Sequence, residues 1–313
     1  VSIAKDYRRQ IAELKKRTDI SKAEADRLIT KAYKEAQKAL KEELKKINAS
    51  TPRGSAQAKL LQATQEYTQT TTKAVQEATI DTVQQVARQT AQAHVKAAQG
   101  AMRAAGAKAA PQVRIIASNE VNATVARTLQ GILKGTVYPD GLPLSQRIWN
   151  NQQAIHRDIH TIIANAMAEG KSIADISDLI SQYTNPAVYK DWNQLMADGY
   201  TVHRRNVEYN SQRLARTVAQ HAYQNSTEDR ARQNPFVAGF RWIANGSRAC
   251  PICLERDGTI YAKGTAPLDH PNGMCILEPV IDEQGMDDRL TAWAQGAEDR
   301  ELTGWGRSLG YEV

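Results

Sequence analysis

Phenylalanine is nearly absent from this 313-residue chain: there are two, and aromatic residues together make up only 6%. With so few large rings, and with abundant Ala, Gln and Thr, the composition favours long, thin helical assemblies over a compact α/β enzyme. Cysteine is also scarce, three in all. No apolar run approaches the ~20 residues needed to cross a bilayer, and the opening VSIAKDYRRQ does not read as a signal peptide. The chain is therefore expected to be soluble and made in the cytosol, where thiols stay reduced and free for metal. Its length allows roughly two domains, each able to bury a core.

What is present is unevenly placed. The net charge is +7, yet residues 1–48 hold fourteen Lys or Arg against eight Asp or Glu, and residues 281–313 hold three Arg against eight acids. One end is basic and the other acidic, so the two ends are expected to meet different partners.

All three cysteines fall within one stretch, with one of the six histidines. Sixteen residues separate Cys253 from His270 and four separate His270 from Cys275, giving C-x2-C-x16-H-x4-C. Two cysteines at this spacing can turn their sulfurs toward one point, and a later pair completes a tetrahedron. Three thiolates and one imidazole suit Zn²⁺ at about 2.3 Å for sulfur and about 2.0 Å for nitrogen. Four protein ligands close the site, so Cys250, Cys253, His270 and Cys275 read as a structural zinc clasp for a segment with little core of its own. Three other readings stand beside it. A redox Cys-x-x-Cys normally opens a helix in a βαβ unit, and no such unit is predicted. Reduced, unliganded cysteines with a histidine in a turn are the plain alternative. Asp269-His270-Pro271 is also similar to the central motif of a zinc-dependent His-Asn-His nuclease, but no later histidine completes that site.

Ahead of the cluster the chain reads as helix. Residues 2–47 carry apolar positions in steps of three and four, including Ile3, Tyr7, Ile11, Leu14, Leu28, Ile29, Leu40 and Leu44. Ser21-Lys22-Ala23-Glu24 has the form of a capping box that would start a second helix there. Lys31, Lys34, Lys38, Lys41, Lys45 and Lys46 line the opposite face, either solvated or available to nucleic acid or an acidic protein surface. After a break at Thr51-Pro52, residues 56–100 form a narrow apolar stripe suited to packing along a partner helix. Helical patterns resume over 113–133, over 144–170, after a second capping box at Ser172-Ile173-Ala174-Asp175, and from about 188 to 231. His156 and His160 lie four apart on one helical face, a spacing a metal pair could use, and with no nearby carboxylate motif they read as part of a polar helix surface. Residues 237–244, 259–261 and 276–280 read as short strands.

The motifs also occur in a recognisable order: Leu144-Ser145-Gln146-Arg147-Ile148-Trp149, Glu169-Gly170-Lys171-Ser172, Arg216-Thr217, Trp242-Ile243, Cys250-Pro251-Ile252-Cys253, Asp257-Gly258-Thr259-Ile260-Tyr261, then His270-Pro271-Asn272 with Cys275. Together, over residues 144–280, they resemble the phage head-morphogenesis family of Mu F-like minor head proteins. The chain departs from the family pattern at Val218, where a glutamate is common, and at Gly273 and Met274, where Cys-Arg is common.

The resemblance implies a non-enzymatic minor capsid protein of a tailed-phage virion. It would act in head morphogenesis and capsid assembly, associated with the portal protein, other capsid proteins or packaged double-stranded DNA, and be made in the bacterial host cytoplasm. The alternatives are the zinc-dependent nuclease and a non-specific DNA-binding protein working through the basic arm. The expected fold is mainly α, an elongated helical body with a small α+β C-terminal domain holding a zinc-ribbon-like cluster. Its expected segments are a basic helical arm (1–50) capable of self-association, an Ala/Gln/Thr-rich helical segment (51–135), a helical core (136–235), a small zinc domain (236–280) and an acidic tail (281–313).

Overall fold

Steps of three and four between apolar residues dictate helix through most of the chain, and helix dominates the structure, a computed structural model that describes residues 2–50, 52–185, 207–246 and 249–312. Helix α1 (Ile3–Ala12) starts at Ser2, whose hydroxyl accepts a hydrogen bond from the Lys5 amide. Helices α2 (Leu14–Ser50) and α3 (Arg53–Ala105) follow, then β1 (Lys108–Ala109), α4 (Val113–Lys134), α5 (Leu144–Ala168) and α6 (Ile173–Tyr183). After the undescribed stretch come α7 (Val207–Gln233), β2 (Val237–Ile243), α8 (Pro251–Arg256), β3 (Ile260–Ala262) and β4 (Ile276–Ile281). The last elements are α9 (Glu283–Ala294), α10 (Arg300–Leu309) and β5 (Tyr311–Glu312). The part of the predicted 188–231 helix that precedes residue 207 lies outside the described residues.

Ser172 opens α6 as predicted: its hydroxyl accepts from the Asp175 amide, and the Asp175 carboxylate accepts from the Ser172 amide. The other predicted cap is corrected. Ser21 lies inside α2, buried, with its hydroxyl donating to Gln89 Oε1 at 3.3 Å. A tertiary acceptor competes for that hydroxyl, and the helix runs on without a break. Leu28, expected on the apolar stripe, is exposed, and Tyr33 goes inside in its stead.

Two compact units divide the chain, each drawn from separated stretches. One comprises Ala23–Ile80 and Asp140–Arg216. Its core collects Ile29, Leu40, Leu60, Ile148, Ile159 and Ile176 from α2, α3, α5 and α6. A polar knot lies among them: Tyr33 bonds the Ser211 hydroxyl at 2.8 Å and receives a hydrogen bond from Gln152 Nε2 at 3.0 Å. Such fully paired groups fix one helix register at little net cost.

The other unit comprises Val1–Lys22, Asp81–Pro139 and Thr217–Val313. Its antiparallel sheet has the order β3-β2-β4, with Phe240 opposite Tyr261 on one side and Pro279 on the other. Gly239 is required by the close strand, since a Cβ there would stand 2.3 Å from the Tyr261 carbonyl oxygen. Strand β5 pairs with β1.

The basic arm and acidic tail do not stand apart as consecutive segments. The α1 amide of Ala4 donates to Asp287 at 2.9 Å, and Arg8 pairs with Glu278 and Glu283 at 3.2 and 2.6 Å. The opposite charges of the two ends meet within this unit. Trp293 and Trp305, placed on the predicted tail, are buried.

Candidate metal centre

Three short pieces of backbone assemble the cluster. Strand β2 delivers the chain to Ala244, whose amide donates to Asp257 Oδ1 at 2.8 Å. Cys250 then caps α8, and Pro251 begins it with the preset φ that a first helical turn needs. One helical turn brings Cys253 to the same side as Cys250. The Cys-x-x-Cys does open a helix, contrary to expectation, but a single-turn one beside an antiparallel sheet, with no βαβ unit around it. The third piece is a tight turn in which the Gly273 amide donates to the His270 carbonyl at 2.7 Å, with Asn272 at φ 64°. Asparagine tolerates that left-handed conformation better than most residues.

The four predicted ligands gather around Cys253. His270 Nε2 lies 3.1 Å from Cys250 Sγ and 3.0 Å from Cys253 Sγ, and Cys275 Sγ lies 3.2 Å from Cys253 Sγ. Cys253 belongs to two overlapping groups with metal-binding separations, one with Cys250 and His270 and one with Asp269 and Cys275. A zinc ion at ordinary bond lengths needs ligand atoms about 3.5–3.8 Å apart, so these three pairs would open by a few tenths of an ångström, while Cys275, which groups with Cys253 and Asp269, would have to draw in toward Cys250 and His270 to complete the four. Val237, Phe240, Trp242 and Leu277 pack around Cys253 and Cys275 and keep that side dry.

The electrostatics differ from one sulfur to the next. The Cys253 amide beside it holds the Cys250 thiol below its ordinary pKa. Burial pushes the Cys253 thiol up, and its neighbouring thiols push it further. Burial also raises Cys275, as does the nearby Asp269 carboxylate, whereas the Cys253 thiol and the Trp242 indole pull it back. The Trp242 Nε1 proton is buried with no hydrogen-bonding nitrogen or oxygen among the described residues. A buried donor turned to the Cys275 sulfur fits a thiolate acceptor, as a metal-bound cysteine would present.

Asp269, weighed as a nuclease residue, is fully buried and faces the loop's own backbone. Its Oδ1 accepts from the His270 amide and its Oδ2 from the Cys275 amide, both at 2.9 Å. A Cβ at position 273 would lie 2.0–2.2 Å from this carboxylate. That accounts for the glycine: the acid fills the space a side chain at 273 would need.

Helix α7 supplies a group of residues that the sequence reading missed. Thr217, Gln220, His221 and Gln224 recur at helical spacing, and each bonds backbone of the 267–275 loop. Thr217 Oγ1 accepts from the Asn272 amide at 3.0 Å, and Gln220 donates to the Cys275 carbonyl at 2.6 Å. His221 Nε2 donates to the Asp269 carbonyl at 2.9 Å, while Gln224 accepts from the Asp269 amide at 2.9 Å and donates to the Pro267 carbonyl at 3.3 Å. A polar stripe at i, i+3, i+4 and i+7 was the available signal.

The remaining candidates are placed as follows. The His156 and His160 rings lie 4.4 Å apart on α5, tilted by 48°, and line a groove with Trp149. Lys31, Lys34, Lys38, Lys45 and Lys46 are exposed along α2 and Lys41 is half-buried. Three of them pair along their own helix, Lys31 with Glu35, Lys45 with Glu42 and Lys46 with Glu43. Among the described residues no helix is long and apolar enough to cross a membrane. Comparison of the chain with models of protein families, with curated proteins and with solved structures yields no match.

Proposed function

We propose that this chain is a non-enzymatic structural protein of a tailed-phage head, acting in capsid assembly, with a zinc clasp fastening α8 to the 270–275 loop. The observation that carries the reading is that the motif residues behind the family resemblance bond one another. Thr217 holds the Asn272 amide, the Gly258 amide donates to the Trp242 carbonyl at 2.8 Å, and the Trp242 indole adjoins Cys275 beside Cys253 and His270. Residues that matter only singly have no reason to meet in this way.

Cys250, Cys253, His270 and Cys275 would hold the ion, which supplies cross-linking of a loop-rich segment when bound. With four protein ligands no coordination position is left for substrate, and Asp269 is committed to two amides. Both features favour a clasp over a nuclease. The proposed partners are the portal protein, other capsid proteins or packaged double-stranded DNA. The lysine-rich face of α2 supports an acidic surface of one of these kinds, although Lys31, Lys45 and Lys46 already share their charge with glutamates of the same helix.

Fractionation of phage particles tests the assignment. The chain should co-sediment with procapsids or virions, and its absence from both would sink the reading. Elemental analysis should give about one zinc per chain, lost in Cys250→Ser. Plasmid DNA incubated with the protein and divalent metal should remain intact; cleavage that disappears in His270→Ala would establish the nuclease instead.

A further inference from the structure

We infer that Lys22 is a positioning residue of the metal centre, the buried cation that balances its negative charge. This rests on the clasp reading above and adds to it a group outside the ligand motif. Three thiolates around a divalent ion carry one net negative charge, and the Asp269 carboxylate adds another. Cys253, Asp269 and Cys275 are all buried. Negative charge held away from water is costly unless a cation or donors meet it.

Lys22, in α2, is only 5% exposed. Burying an ammonium is itself unfavourable, and lysine is seldom found so deep unless paired. Its Nζ donates to the Gly273 carbonyl at 3.2 Å and to Gln220 Oε1 at 2.5 Å. Gly273 lies in the turn between His270 and Cys275, and Gln220 in turn donates to the Cys275 carbonyl at 2.6 Å. The ammonium is thus one hydrogen bond from the ligand loop and two from the backbone of a ligand. Asp19 Oδ1 stands 4.0 Å away, outside hydrogen-bond reach and one-third exposed, so solvent screens that pairing more than the inner contacts. A neutral donor could satisfy the Gly273 carbonyl equally well; the charge is what a thiolate centre adds as a reason for lysine.

Chelator competition on the full chain, using Zn²⁺ and Co²⁺ as probes, tests this with Lys22→Met, Lys22→Gln and Lys22→Arg. The methionine keeps the stem and removes the charge, and the glutamine keeps a donor as well, so whichever neutral variant folds by circular dichroism carries the measurement. Both should bind metal about tenfold or more weakly, the usual scale for partners beyond the ligands, and arginine should recover most of the loss. The Co²⁺–thiolate absorption should keep its wild-type shape, because the ligands are unchanged. Wild-type affinity in a folded neutral variant would overturn the role of Lys22 alone, as would an arginine variant as weak as the neutral ones. A wild-type chain that takes up no metal would overturn the clasp and the inference together.

Discussion

Gly273 and Asp269 share one volume. Because a methyl at 273 would collide with the carboxylate, Gly273→Ala should destabilise the protein by about 1–3 kcal/mol in denaturant titrations and lower zinc uptake. Asp269→Ala should cost a similar amount for a different reason, since it strips the acceptor from two buried amides. Combined, the two changes should cost less than their sum, and strict additivity would refute the shared volume. His94 gives a second residue-scale prediction. Burial holds its pKa down to about 3 from an ordinary 6.5, and the Arg230 charge adds to the effect. The unfolded chain then binds a proton that the folded chain refuses between these values. Stability present above pH 6.5 should fall as the pH drops toward 3, by up to about 1.4 kcal/mol per unit. In His94→Gln that part of the slope should vanish from unfolding curves measured between pH 7 and 4.

At the scale of elements, the ends of the chain carry the clearest test. Trp305 is buried and meets the Phe236 ring edge to face at 5.8 Å, and α10 begins where Asp299 accepts from the Leu302 amide. Trp305→Ala should therefore cost about 3–5 kcal/mol of stability, whereas an independent tail would leave the unfolding midpoint unchanged. Helices and strands were largely legible, because periods of 3.6 and 2 are written in single residues such as Ile155, Ile159 and Ile162 or Phe240 and Trp242. The clustering of Cys250, Cys253, His270 and Cys275 was legible for the same reason, as cysteine spacing reports local geometry. What escaped was polar and non-local. Ser21 looks like a cap until Gln89 is known to face it, and Gln220 and His221 look like helix surface until the 267–275 loop arrives. Sequence neighbours cannot report an acceptor supplied from far along the chain.

At the scale of the molecule, the division into units follows space and not sequence. The five consecutive segments expected from composition breaks become two units, each stitched from separated stretches. Charge counts separated a basic beginning from an acidic end, but gave no hint that Arg8 would pair with Glu278 and Glu283. Long continuous helices explain why: α2, α3 and α7 each begin in one unit and end in the other, so three of the four boundaries fall inside helices and only the one after Pro139 lies in a loop.

The pairing of β1 with β5 has a consequence for how the chain is made. Lys108 and Ala109 leave the ribosome about two hundred residues before Glu312 and Tyr311 reach them. Lys22 waits longer still for Gly273, 251 residues further along the chain. During synthesis the unit holding the cysteines cannot close while its last stretch is untranslated, and its early helices must spend that interval with apolar faces uncovered or held by a chaperone.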